Sequence, residues 1–311
     1  MGDSQSCPPG EFALGIAGER EICSPCLPGK YQPQTGHFDC VGCAAGKYLP
    51  VSSYTLARYT SEADCISCEP GRFSNSSAQS TCENCSPGHY GLVTGASSCP
   101  ALCSPGTYSM AGSRSCIPCA PGSASNAQGA ASCEIKCGAG QYSTEASSTC
   151  SDCPEGTFQE DTGKGSCKMC AAGRYASTEG TKSADGCNAC PTGRYSHSPG
   201  LYMADQCVKC RAGRWQDTAQ DRTFDSCNLC PEGKFSNDVG ASAESDCNQC
   251  TKGKYNPEAG QTACVLCPRG KYARDNLPPG LERTSAEVAC LKCPTGTYSF
   301  TEGVWACTRC R

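Results

Sequence analysis

Large core-forming side chains are scarce: Leu, Ile, Val and Phe together fill 32 of 311 positions. A chain this poor in apolar bulk cannot bury enough surface to offset the conformational entropy of ordering itself. Histidine is almost missing, with only His37, His89 and His197, which leaves no recurring imidazole set for a metal. No apolar run is long enough to span a membrane. There is no basic stripe of the kind nucleic acid requires, and the net charge is −4. The charge is unevenly spread: residues 1–170 carry 9 basic and 15 acidic side chains, residues 171–311 carry 17 and 15. A solvated surface is the default reading of that asymmetry, and head-to-tail contact between molecules the sharper one.

What is present is cysteine, 33 residues, with 35 Gly and 21 Pro. That places the chain among disulfide scaffolds, in which covalent bridges replace a core. Length alone would predict two or three globular domains, but no segment carries a separate core. After Cys7 the cysteines fall into sixteen close pairs. Fourteen are C-x-x-C, and Cys99/Cys103 and Cys133/Cys137 hold one more residue. First members recur mostly every 17 residues, every 20 from Cys167 to Cys247, with long steps from Cys40 to Cys65 and from Cys264 to Cys290.

The intervening residues repeat as well. Each of sixteen units opens C-x-x-G-x-aromatic, as in Cys26-Gly29-Tyr31 and Cys210-Gly213-Trp215, and only Ala124 breaks the aromatic. A second Gly often stands four residues before the next Cys, as at Gly36, Gly95, Gly112, Gly260 and Gly303. The pattern predicts a hairpin-like loop: a first Gly at a tight turn, a short extended piece carrying the aromatic, and a second Gly turning the chain back. The aromatic is expected to pack on its own disulfide and on the next unit. Nine units place Lys or Arg just before the aromatic, for example Lys30, Arg72, Arg174 and Lys254. A solvated stripe is the ordinary reading and stacking on a neighbouring ring the sharper one.

Spacing prefers one disulfide scheme without proving it. If each Cys that opens a loop bonds the next in the chain, the pairs are Cys7–Cys23, Cys26–Cys40, Cys43–Cys65, Cys68–Cys82, Cys85–Cys99, Cys103–Cys116, Cys119–Cys133 and Cys137–Cys150. They continue with Cys153–Cys167, Cys170–Cys187, Cys190–Cys207, Cys210–Cys227, Cys230–Cys247, Cys250–Cys264, Cys267–Cys290 and Cys293–Cys307. Cys310 is left over, free or paired outside this segment, which is the expectation for an array that continues beyond Arg311. The expected organisation is an N-terminal segment 1–6 and an array over 7–311, with long units at 43–65 and 267–290 and a last unit opening at Cys310. The segments Cys26–Cys68 and Cys250–Cys293 align at an offset of 224 residues. In both, a normal unit precedes a long one, and a Leu-x-Arg-(x)-Thr-Ser stretch lies at Leu56–Ser61 and Leu281–Ser285. A super-repeat of about eleven units would explain this, and chance similarity between cysteine-rich segments remains the alternative.

The run C-x-x-C-[P/A/S]-x-G-x-[Y/F]-x(n)-G-x(3)-C, sixteen times from Cys7 to Arg311, resembles the ephrin-receptor-like cysteine-rich repeat. It is also similar to the first loop of tumour-necrosis-factor-receptor modules. The resemblance implies small β-loops with a bridge inside each, and structural or adhesive roles in surface and secreted proteins such as those of protists and algae. Receptor-type second and third bridges cannot be mapped, and no neighbouring ligand-binding domain is seen, so a receptor function does not carry over.

Three other signals are weighed against this. Four-cysteine zinc knuckles would need recurring ligand turns, whereas the recurring feature is the Gly after each pair. The start Met1-Gly2-Asp3-Ser4-Gln5-Ser6 fits a myristoylation pattern but belongs to cytosolic synthesis, in conflict with so many paired cysteines. No signal peptide is seen, so a fragment or processed chain is expected. Asn75-Ser76-Ser77 is a glycosylation sequon on a loop. No Ser/His/Asp set recurs and no enzyme, cofactor or small-molecule substrate is expected.

The reading is therefore a class of small disulfide-rich repeats, an elongated rod of short β-hairpin-like loops with little helix and no large hydrophobic core. Each unit would touch only its neighbours, over a length on the order of 150 Å. The expected setting is extracellular or cell-surface. The expected role is a structural subunit of a filament, coat or appendage such as a flagellar hair, with copies of itself or other coat proteins as partners. The alternative is the stalk or ligand-binding ectodomain of a receptor or adhesin.

Overall fold

The computed structural model describes residues 6–17, 20–51, 59–217, 227–277 and 282–311. Most of the N-terminal segment with its myristoylation-type start lies outside the described residues, as do Leu56 to Arg58 and Leu281 of the shared long-loop stretch. We number the loops 1 to 16 by their bridges, from Cys7–Cys23 to Cys293–Cys307.

Among the described residues sixteen two-stranded sheets are formed, and helix is confined to short turns. The repeated hairpin follows from C-x-P-G and its variants. In loop 2, Leu27-Pro28-Gly29-Lys30 closes a β-turn, with the Lys30 N–H donating to the Leu27 carbonyl at 3.0 Å. Gly29 has φ +86, which the third position of a type II turn demands and a side chain resists. The two residues that follow pair antiparallel with the two inside the next C-x-x-C: Lys30 opposite Gly42 and Tyr31 opposite Val41. A two-residue ladder has no independent stability in water; the bridge beside it supplies what the ladder lacks.

By contacts the chain divides into two compact units. The first comprises Met1–Gly138, Tyr142–Ser151 and Thr162–Ser166, and the second Ala139–Gln141, Asp152–Asp161 and Cys167–Arg311. Loop 1 in the first unit has the longest hairpin, Glu11–Ala17 against Arg20–Pro25, with a bulge between Ala13 and Gly15. Further along, loops 4 and 5 are stitched by three backbone bonds. Gly71 N–H donates to Gly91 O (2.8 Å), Ser74 N–H to Ala96 O (3.1 Å), and Gly95 N–H returns to Cys68 O (2.8 Å). The second unit uses the same stitch: Gly213 N–H to Ser236 O, Gln216 N–H to Ala241 O and Gly240 N–H to Cys210 O.

Contact reaches further than the nearest-neighbour expectation. A Cβ built on Gly71 of loop 4 would lie 2.2 Å from the carbonyl oxygen of Gly112 in loop 6. In the second unit, a Cβ on Gly213 of loop 12 would lie 2.1 Å from the Gly260 oxygen in loop 14. In each unit, then, these loops touch the next and the next but one. The first Gly is fixed twice, by its turn and by a backbone from two loops away.

The packed interior is a string of small clusters instead of one core. It is made of opening cysteines, the first Gly, and the residue after the aromatic: Leu49, Ser109, Ser125, Ala176, Ser236, Asn256 and Ala273 are all buried. In the five buried clusters the aromatic lies against the bridge of the following loop, not its own. Tyr31 packs on Cys43–Cys65, Phe158 on Cys170–Cys187 and Tyr255 on Cys267–Cys290.

Candidate functional site

The chemistry that recurs in every loop is the bridge and what covers it. Sixteen disulfides join the cysteine that opens each loop to the next in sequence, with Cα–Cα distances between 5.5 and 5.9 Å. Cys310 aside, the two members of each close pair thus belong to different bridges. Cys310 is free and exposed. Its N–H donates to Gly296 O at 2.9 Å, as Cys43 N–H does to Gly29 O, so it stands where an opening cysteine stands.

In seven of the nine loops the basic residue before the aromatic is engaged within its own loop, while Lys254 is exposed. In four loops its guanidinium crosses the hairpin to the carbonyl oxygen of the closing cysteine. Arg72 donates to Cys82 O (2.7 Å), Arg174 to Cys187 O (2.8 Å), Arg194 to Cys207 O (3.0 Å) and Arg214 to Cys227 O (3.2 Å). Lys at the same position instead meets an acid on the turn that leads into the closing cysteine. Lys47 pairs with Glu62 (3.1 Å), Lys234 with Glu244 (2.8 Å) and Lys271 with Glu287 (3.8 Å). The hydrogen bond to Glu244 holds the Lys234 ammonium pKa above its ordinary value, against the desolvation that lowers it. The cation–π contact seen among the described residues belongs to another position, Lys252 over Trp305 at 5.4 Å.

Longer loops add a helical turn just before the closing cysteine: Glu62–Asp64, Ala184–Gly186, Ala204–Gln206, Glu244–Asp246 and the four-residue helix Ala286–Ala289. Three of these turns are locked by the side chain that immediately precedes the cysteine. Asp64 accepts from the N–H groups of Thr60 and Ser61, and Gln206 from those of Tyr202 and Met203. Asp246 accepts from Ser242 and Ala243. The N–H and hydroxyl of Ser242, then the Ala243 N–H, hold the Asp246 carboxyl below the ordinary carboxylate range. Sequence reasoning missed both these boxes and the buried residue after the aromatic. The box carries a readable signal, an Asp or Gln next to the cysteine of a 20-residue repeat.

Asn75 is exposed at the turn of loop 4, and its Oδ1 accepts from the Ser76 hydroxyl at 3.3 Å. Surface concavities are lined by mixed side chains, one by Ser125, Asn126, Ala130 and Glu134, another by Phe158, Met169, Arg174 and Asp185. Among the described residues no helix is long and apolar enough to cross a membrane.

Bridges at this density, on hairpins with no other core, define a disulfide-stapled repeat protein of the extracellular type. A family model described as tyrosine-protein kinase ephrin type A/B receptor-like matches residues 56–101, 140–187, 200–247 and 243–276, more than half of the chain. The chain belongs to this ephrin-receptor-like family of cysteine-rich repeats. No curated protein matches it. Such repeats are structural or ligand-binding modules of extracellular domains.

Proposed function

We propose that the chain is a structural subunit of an extracellular filament, surface coat or appendage such as a flagellar hair, assembled from copies of itself or with other coat proteins. The observation that carries this reading is the stitching. Backbone hydrogen bonds and close packing on the first Gly join a loop to the next and the next but one, so the repeat is a building element in its own right. In this reading the chain is not catalytic, takes no cofactor and binds no nucleic acid. It travels the secretory pathway and carries a glycan on Asn75, and Cys310 is free or paired outside the segment. The connectivity drawn above belongs to the same proposal, and non-reducing peptide mapping checks it.

Electron microscopy of the native material with and without reductant tests the reading. Fibres with a regular axial repeat that collapse on reduction are expected. Isolated molecules tipped by a globular head would overturn it in favour of the second reading, the stalk or ectodomain of a receptor or adhesin. The family itself supports that second reading, since its repeats also occur as ligand-binding modules.

A further inference from the structure

Whether a closing cysteine is covered follows from one residue. Where Lys or Arg precedes the aromatic, the closing cysteine is buried: Cys40, Cys65, Cys82, Cys187, Cys207, Cys227, Cys247 and Cys290, at 1 to 9 % exposure. The one exception is Lys254, beside a half-exposed Cys264. Where the position is Glu11, His89, Thr107, Ser123, Gln141, Thr157 or Thr297, the closing cysteine is half-exposed in every case. In seven of these eight loops the basic side chain bonds the closing carbonyl or an acid on the turn before it, Lys30 beside Cys40 being the eighth.

We propose that this basic residue is a lid against thiol attack, and that loops 5 to 9, from Cys85 to Cys167, form a reducible segment between shielded loops. Opening cysteines in this segment are fully buried, so the closing sulfur is the one a thiolate reaches. The thiolate of an external dithiol attacks that sulfur and the S–S bond breaks. The opening cysteine leaves as a thiolate and takes a proton. The second thiol of the reductant then closes on the mixed disulfide and releases the other cysteine. Two electrons and two protons pass from dithiol to bridge. A nearby cation also draws an anionic thiolate in, which acts in the opposite direction. Cover prevails because the guanidinium is already held by a carbonyl and the ammonium by a carboxylate, and a blocked sulfur cannot be attacked until the loop opens.

The test treats the intact chain with dithiothreitol, quenches aliquots with N-ethylmaleimide and maps the labelled cysteines by mass spectrometry. Cys99, Cys116, Cys133, Cys150 and Cys167 are expected to label at least about tenfold faster than Cys187, Cys207 and Cys247. Equal rates, or earlier labelling of the shielded set, overturn the proposal. Arg194→Ala is expected to raise the rate at Cys207 several-fold and Thr107→Arg to lower it at Cys116. A faster Cys116 in the second variant would mean that charge attraction outweighs cover, and would also sink the proposal. Unassembled molecules suffice, so failure here and failure of the filament reading are separate results.

Discussion

Loops 5 to 9 and loops 10 to 13 share a bridge pattern and differ in how they finish it. The first set closes each bridge over 13 or 14 residues and carries no Lys or Arg before the aromatic. The second set closes over 17 residues and has Arg174, Arg194, Arg214 or Lys234 at that position. In loops 10, 11 and 13 the added residues supply a helical turn before the closing cysteine, and the cation reaches that turn or the closing carbonyl. One covalent plan thus yields two grades of protection, chosen by side chains that the hairpin itself does not require.

The largest blow to the comparison is complete reduction. Each bridge contributes about 2–4 kcal/mol through the unfolded state, so full reduction should abolish amide protection in both sets. Protection that survives there would mean that the hairpins stand without their bridges.

Next comes the contact that skips a loop. Gly88 has φ +83, and a Cβ there would lie 1.9 Å from the Gly129 oxygen, so Gly88→Ala should cost about 2–4 kcal/mol of local stability by hydrogen exchange. A loss under about 1 kcal/mol would show that the turn alone asks for glycine. A reciprocal pair sharpens the point. Ala78 sits at a positive-φ turn normally held by Gly, and the residue over it is Gly42, whose added Cβ would be 2.9 Å from the Ala78 Cβ. Gly42→Ala should destabilise by about 1–2 kcal/mol, and Ala78→Gly in the same chain should recover most of that, a coupling that a double-mutant cycle measures.

A smaller gain is expected from Ala146, the other residue held at positive φ outside glycine (φ 59). Ala146→Gly should stabilise loop 8 by about 0.5–1 kcal/mol by the same measurement.

The smallest effect separates two long loops by pH. Asp246 has its carboxyl held low by Ser242 and Ala243, whereas the matching residue of loop 10 is Gly186. A carboxyl depressed in the folded state stabilises its turn above its unfolded pKa and loses that contribution as pH falls through the lower, folded value. Protection of the Ser242 and Ala243 amides should therefore fall as the medium is acidified below the ordinary aspartate range, with no matching change at loop 10. Identical profiles would place the pH dependence elsewhere.

Local features were the legible ones. Gly29 at a turn, Tyr31 on a short strand and the closing Cys40 all lie within one loop, and their spacing repeats without interruption. The contact that skips a loop left no separate mark, because the glycine it requires is already explained by the turn. The buried position after the aromatic was illegible for another reason. Leu49, Gln32, Ser109 and Asn256 share no hydrophobicity, only a place beside the neighbouring loop's backbone. Several of them reach that backbone with a hydrogen bond, as Ser109 Oγ does to His89 O and Asn256 Nδ2 to Lys234 O. The basic stripe was visible as a pattern, but its purpose depends on where the closing carbonyl lies, which spacing does not reveal.

The membership of each close cysteine pair before the last in two different bridges determines where tension runs. Pull the chain from both ends, and the load passes from a closing cysteine through two residues to the next opening cysteine, then across sulfur to the following one. With 5.9 Å across a bridge and three peptide steps of about 3.8 Å between bridges, each loop entered through C-x-x-C adds about 17 Å to the taut path. The residues within the loop hang beside that path and carry none of the force. Loops bridged at a sequence separation of 14 and of 23 are therefore mechanically equivalent links, and the chain can lengthen or shorten its loops without changing the length of that path.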